Sequence, residues 1–341
     1  LIPKRGNDNL VKKRRLGRTG LQVCEVGFGG AGVGHAWGAT TDNECIRAVR
    51  CALDLGIDFF DTSPVYGAGK SEENLGAGLA GRRDRIVLAT KVRLQTEEER
   101  GDMAPAIRRS VEASLRRLCT DYLDILQIHH QVGDARGRYL AVADPPRYAL
   151  RLSGEDGLAF AAAARDLIRE GKVRFLGITA WDGDRDAVGA LLGSGAFDTA
   201  QILFNLLNQS AAFPPPPGFD DVDQGETLKL AQANDFGVIG IRSHAAGALV
   251  DRLDRDVKPG SDVARDHRRA QKLAFLNKPP FRTLSEVALR FCLDNPAIAT
   301  VVPGFKNAAE VEEAVACANL PSIADRDVAE IQRLYAIRFQ D

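Results

Sequence analysis

Short apolar or β-branched runs recur along the chain, each followed by a longer stretch whose apolar positions return every three or four residues. The first pattern is that of buried strands and the second of amphipathic helices, so their alternation predicts a parallel sheet covered by helices. The strand runs are residues 22–27, 58–61, 86–90, 123–128, 175–178, 199–203, 237–241 and 299–302. Helices fall between them. Residues 42–55 form one, with Asp42 placed to cap the first amides and Gly56 to end it; 104–118 and 158–170 carry the same stripe. Eight such units predict an α/β fold, a closed (β/α)8 TIM barrel, because closure leaves no unpaired edge and uses the whole length. One barrel domain is expected over residues 16–341, with a C-terminal helix, after a short basic tail over 1–15.

Two stretches interrupt the rhythm, residues 130–157 after the fourth strand and 250–282 after the seventh. Loops longer than about 15 residues usually serve function. Both leave the C-terminal ends of strands, where barrel enzymes hold substrate, so they are expected to form long loops walling a pocket. The prolines at 214–217 read as a stiff surface loop.

Charge narrows the partners. Acidic and basic side chains nearly cancel, 46 against 45, so no overall field draws the chain to nucleic acid or to a membrane. A small molecule is the expected partner, and the pattern carries no signal for an oligomeric state. Six cysteines lie scattered without a Cys-x-x-Cys pair, which fits a reducing, cytoplasmic location. No apolar run approaches the roughly 20 residues that span a bilayer. The basic start lacks the apolar core of a secretion signal and reads as a solvated tail.

The run from Gly27 to Gly32 spells G-x-G-x-x-G after a strand. A dinucleotide fingerprint of the Rossmann kind needs its third glycine at a helix start, and here further loop follows, so that reading is set aside. The glycines instead allow something to approach the strand end closely. More chemistry lies at the next three strand ends: Asp61 with Tyr66 in the following loop, Lys91, and His129. Ionisable groups on successive strands meet at one rim. A phenol is a poor acid or base near neutral pH, and an ammonium about 4 Å away stabilises the phenolate by roughly 4 kcal/mol at an effective dielectric near 20. Lys91 is therefore the natural partner of Tyr66. Asp61 is the carboxylate that holds the buried ammonium protonated, and His129 is placed to orient a carbonyl. His129 and His130 point to opposite faces of their strand, which removes them as joint metal ligands.

Leu16-Gly17-Arg18-Thr19-Gly20, the segment from Asp61 to Gly67, Thr90-Lys91 and Ile128-His129 together resemble the aldo-keto reductase superfamily, from about Leu16 to the eighth helix. The resemblance implies a barrel oxidoreductase with exchangeable NADP, or NAD, and no metal. In it Tyr66 is the general acid or base, Lys91 and Asp61 tune it, and His129 orients the carbonyl of an aldehyde, ketone, alcohol or lactol. The alternative within the same fold is an NADPH-binding regulatory or scaffolding subunit with little turnover.

For the cofactor the resemblance implies Gly30 at the first strand end, Thr179 and Gln201 toward the carboxamide, and Arg242 toward the pyrophosphate. Gly304, Lys306, Asn307, Glu310 and Glu313 lie toward the adenosine end. There Lys306 suits a 2′-phosphate and Glu310 a free ribose hydroxyl. His35 and Trp37, after the first strand, are candidate pocket residues.

Overall fold

The computed structural model describes residues 11–35, 40–141, 147–179, 182–253 and 255–340. Thirteen strands are assigned among them. An N-terminal hairpin, β1 (Lys13–Arg15) and β2 (Gln22–Cys24), precedes the barrel strands β3 (Phe28–Gly29), β4 (Phe59–Asp61), β5 (Val87–Val92) and β6 (Leu123–Ile128). A small sheet of β7 (Val132–Gly133), β8 (Gly137–Ala141) and β9 (Arg147–Ser153) follows, then β10 (Val173–Thr179), β11 (Thr199–Leu203), β12 (Gly237–Ile241) and β13 (Thr300–Val301). β3, β4, β5, β6, β10, β11, β12 and β13 lie side by side in chain order, every neighbour parallel. Parallel bridges Val26–Val301 and Gly29–Gly304 join the first to the last. The ring is the expected (β/α)8 barrel.

Around it run α1 (Asp42–Asp54), α2 (Lys70–Leu79), α3 (Glu97–Gly101), α4 (Met103–Leu118), α5 (Gly154–Ala163), α6 (Arg165–Arg169) and α7 (Arg185–Gly193). They continue as α8 (Thr227–Asn234), α9 (Asp262–Ala270), α10 (Leu284–Leu293), α11 (Ala308–Ala318) and α12 (Asp325–Ala336), the C-terminal helix. The larger apolar core lies between helices and strands. A smaller one fills the barrel base, where Leu16 and Val23 of the hairpin pack with Phe59, Val87, Ile125 and Ile239.

That plug corrects two expectations. Residues 22–24 pair with β1 as a lid on the barrel base, and the first barrel strand lies farther on at Phe28–Gly29. The basic segment is not a solvated tail over Lys13–Arg15: Arg14 donates to Glu25 Oε2 at 2.6 Å and to the carbonyls of Leu293, Asn295 and Ile298 at 2.6, 3.1 and 2.8 Å. Residues 1–10 lie outside the described residues.

Local signals explain other shifts. Thr41, not Asp42, caps α1: its hydroxyl accepts from Glu44 N–H while the Glu44 carboxylate accepts from Thr41 N–H, a reciprocal box that satisfies two orphan donors. The helix expected over 158–170 starts earlier, capped by Ser153, and divides at Ala164 into α5 and α6. The stretch 130–157 is not a plain long loop; it holds the sheet β7–β9, in which Leu150 and Leu152 are buried between less buried neighbours. Likewise 250–282 contains α9 and a 3-10 turn at Gln271–Leu276.

Candidate active site

The barrel strands aim four polar side chains at one point. Asp61 closes β4, Lys91 lies on β5, Gln127 on β6 and Gln201 on β11, and all four are buried. Lys91 Nζ donates to Asp61 Oδ2 at 2.6 Å and to Thr62 O at 2.8 Å. Burial alone pushes an ammonium toward its neutral form, yet Asp61 first and Tyr66 second outweigh it, so Lys91 is held above the usual lysine range. Asp61 Oδ1 accepts from Gln127 Nε2 at 2.9 Å and Gln201 Nε2 at 2.7 Å. Three donors thus satisfy both oxygens of a buried carboxylate, which would otherwise be costly to keep ionised.

Tyr66 stands above this group, half-buried, at the start of a 3-10 turn after β4. The Lys91 ammonium lies 4.9 Å from its ring centroid. Its turn is fixed by backbone packing: Gly67 has φ 60°, and a Cβ there would stand 2.1 Å from Gly34 O. The glycine run after β2 therefore serves chain-to-chain contact. Gly30 N–H donates to Asp61 O at 2.7 Å while its carbonyl accepts from Ser71 Oγ at 2.7 Å, so the protein itself fills the space around it.

His129 follows β6 and meets the Tyr66 ring edge-on, centroids 5.8 Å apart. Its Nδ1 lies 3.0 Å from Ser63 Oγ. Burial, with the Lys91 and Arg93 cations nearby, holds it well below the ordinary imidazole range, so the ring is neutral at neutral pH. His130 does point away: its Nε2 accepts from Leu94 N–H at 2.8 Å, and its Nδ1 faces Leu150 O at 2.9 Å. Asp61, Tyr66, Lys91 and His129 thus meet as the sequence anticipates.

Ser63, Arg93 and Gln127 are functional candidates that motif reading missed. Each lies two residues from a group that was recognised: Ser63 from Asp61, Arg93 from Lys91, Gln127 from His129. Side chains two apart on a strand share a face, and each pair straddles the end of a barrel strand, so the period-two rule extended past the strand end is the signal that finds them.

The remaining candidates spread along the rim. Thr179 Oγ1 donates to Ile128 O at 3.0 Å. Arg242, with φ 56°, follows β12, and its carbonyl accepts from Asn205 Nδ2 at 3.0 Å. Gly304 bridges Gly29. Asn307 caps α11 by accepting from Glu310 N–H at 3.0 Å, and the Glu310 carboxylate accepts from Lys306 N–H at 2.8 Å and pairs with Lys306 Nζ at 3.4 Å. Glu313 receives a hydroxyl from Thr283 at 3.5 Å. His35 sets its ring 2.9 Å from Asp42 at the start of α1. Trp37 lies outside the described residues.

Comparison with known proteins agrees with this arrangement. The chain is 30% identical to L-galactose dehydrogenase of Arabidopsis thaliana over 310 residues, covering 90% of this chain and 88% of that one. It is 26% identical to the NADH-specific methylglyoxal reductase of Escherichia coli over 358 residues, covering 95% and 98%. An aldo-keto reductase from Bacillus halodurans, solved in its holo form, superimposes with a TM-score of 0.71 at 26% identity over 95% of this chain and 96% of that one. A family model described as the aldo/keto reductase family matches residues 25–336, nearly the whole barrel together with Asp61, Tyr66, Lys91 and His129. The chain therefore belongs to the aldo/keto reductase family.

Proposed function

We propose that the chain is an NAD(P)-dependent oxidoreductase, reducing an aldehyde or ketone or oxidising the corresponding alcohol or lactol, with Tyr66 as the general acid or base. The observation that carries this reading is the buried Lys91 ammonium, held by Asp61 and set 4.9 Å from the Tyr66 ring. A fixed cation stabilises phenolate as the proton leaves Tyr66 for the forming alkoxide, and the reverse step returns it. With the Ser63 hydroxyl donating to His129 Nδ1, the neutral ring carries its proton on Nε2 and keeps it while hydrogen-bonding the substrate oxygen. The nicotinamide supplies or accepts the hydride.

The donor set fits a dinucleotide. Arg242 follows β12, and after the neighbouring β13 Lys306 stands by the first amides of α11, a helix end suited to phosphate oxygens. Gln201 gives its amide nitrogen to Asp61 and keeps its carbonyl oxygen for a carboxamide N–H. Lys306 supports NADP, and its pairing with Glu310 supports NAD as well; the relatives named above include an NADH-specific one.

Fluorescence titration with NADPH and NADH, followed by a carbonyl panel, tests the reading. Saturable binding of either with turnover that disappears in Tyr66→Phe supports it. Binding without turnover favours the scaffolding alternative.

A further inference from the structure

Asp182 lies beyond the proton-transfer group, three residues past the end of β10, and its backbone is pinned from several sides. Its carbonyl accepts from Gln131 Nε2 at 2.7 Å, and Gln131 Oε1 in turn accepts from Arg151 Nε at 2.9 Å. One residue on, Gly183 presses so closely on β7 that a Cβ would stand 2.8 Å from Val132 O. Asp184 N–H then donates to that same carbonyl at 2.7 Å, and its carboxylate caps α7 through the amides of Asp186 and Ala187. The Asp182 side chain is therefore presented from a rigid segment.

No side chain among the described residues hydrogen-bonds to that carboxylate or pairs with it. Burial pushes it up to about 6, while Arg93 and Arg242 draw it back, and its charge acts in turn on Tyr139. Arg93 follows β5, Tyr139 is on β8, and Arg242 follows β12. A carboxylate in electrostatic reach of segments after the third and seventh barrel strands, itself after the fifth, lies over the mouth of the barrel. Arg93 spans the same space, with Nε on His129 O at 3.0 Å and Nη2 on Tyr139 Oη at 3.3 Å.

We propose that Asp182, with Arg93 and Tyr139, forms a subsite for the hydroxyl groups of a polyhydroxylated substrate, so that neutral aldoses or their lactols are preferred over apolar aldehydes. The proposal rests on the oxidoreductase reading above and specifies its substrate class. A half-buried carboxylate whose hydrogen bond comes from its own backbone alone is costly, and a closely fitting apolar substrate would strip its water and return nothing. Vicinal hydroxyls both donate to Asp182 and accept from Arg93 or Tyr139. A site built to bond hydroxyls discriminates strongly against analogues that lack them. An anionic sugar acid would meet the Asp182 charge at the same place.

The test compares wild type, Asp182→Asn and Asp182→Leu on neutral aldopentoses and aldohexoses, a uronate, and butanal as the apolar aldehyde, each with the preferred cofactor. Wild type is expected to favour an aldose over butanal in kcat/KM. Asp182→Leu should lower that value for the aldose at least thirty-fold, mainly through KM, while butanal stays within three-fold. Asp182→Asn, which keeps the shape, should fall between, and the uronate should gain on the aldose in both variants. Equal losses on aldose and butanal would mean a merely structural role and overturn the proposal, as would unchanged aldose kinetics. Turnover of butanal but of no aldose overturns it while leaving the oxidoreductase reading intact. Aldose binding to the NAD(P)H complex of Tyr66→Phe, read by nicotinamide fluorescence, checks the subsite apart from turnover: binding weakened by Asp182→Leu supports it, and binding indifferent to that change rejects it.

Discussion

Gln201 reaches from the sixth barrel strand to the second and gives its amide nitrogen to Asp61 Oδ1 at 2.7 Å, fixing the carboxylate that in turn fixes Lys91. Gln127 shares the same oxygen at 2.9 Å. A hydrogen bond to a charged group contributes about 1.5–3 kcal/mol, so Gln127→Leu should lower kcat roughly ten- to a hundred-fold by loosening Asp61 and Lys91. Its NAD(P)H affinity should stay within a few-fold. On the proposed reading, in which its carbonyl oxygen meets the carboxamide, Gln201→Leu should lose both turnover and cofactor affinity. Equal cofactor binding by the two variants would remove Gln201 from the cofactor site.

Tyr66→Phe removes the proposed proton donor and little else, since the ring still packs edge-on against His129. Turnover should vanish while the dissociation constants of NADPH and NADH shift by no more than a few-fold. A parallel loss of cofactor binding, measured by fluorescence titration, would refute the assigned role.

Where the proposed reading sets the adenosine, Lys306 and Glu310 face each other at 3.4 Å. Lys306→Ala should weaken NADPH more than NADH, and Glu310→Gln, which takes a negative charge from beside Lys306, should strengthen NADPH about three-fold or more. Unchanged discrimination in both variants would place the 2′-phosphate elsewhere.

Acid stability follows in part from two histidines besides His129. His130 and His244 are each pushed down to about 4 by burial. Below the ordinary imidazole value near 6.5 the unfolded chain binds protons that the folded chain refuses, so stability falls as pH drops from about 6.5 toward 4 and is recovered as pH rises. Each histidine should cost about 2.5 kcal/mol by pH 4.5. His130→Gln can accept from Leu94 N–H and donate to Leu150 O without titrating. Thermal melts between pH 7 and 4.5 should show a shallower decline for this variant than for wild type, and parallel declines would exclude His130 as a source.

Arg14 closes the hairpin onto the barrel base. Arg14→Met would strand the buried Glu25 carboxylate and three backbone carbonyls, costing about 3 kcal/mol or more. The denaturant midpoint should fall clearly while KM, set at the other end of the barrel, stays put. Loss of substrate affinity without loss of stability would contradict this division.

Much of this protein is legible in its sequence because the information is local. Strands 123–128, 199–203 and 237–241 appear with the expected bounds, since each is a short buried run flanked by turn residues. Asp61, Tyr66, Lys91 and His129 are readable because parallel barrel strands end at one rim, so order along the chain becomes adjacency in space. The sheet β7–β9 was harder to see: its alternation is short, and interleaved arginines weaken it. Gln127 is less legible, because its partner Asp61 lies two strands back in the chain.

The sequence by itself determined a closed barrel with four ionisable groups at one end, because periodicity and strand-end chemistry are written in neighbouring residues. Only the tertiary structure decided that residues 22–24 plug the base, that the glycines press against Phe305, Asp61 and Tyr66, that two glutamines hold Asp61, and that Gln131 ties down the backbone at Asp182. Each of those facts is a contact between segments far apart in the chain, and no local pattern encodes which distant backbone or side chain will fill the space that a residue leaves open.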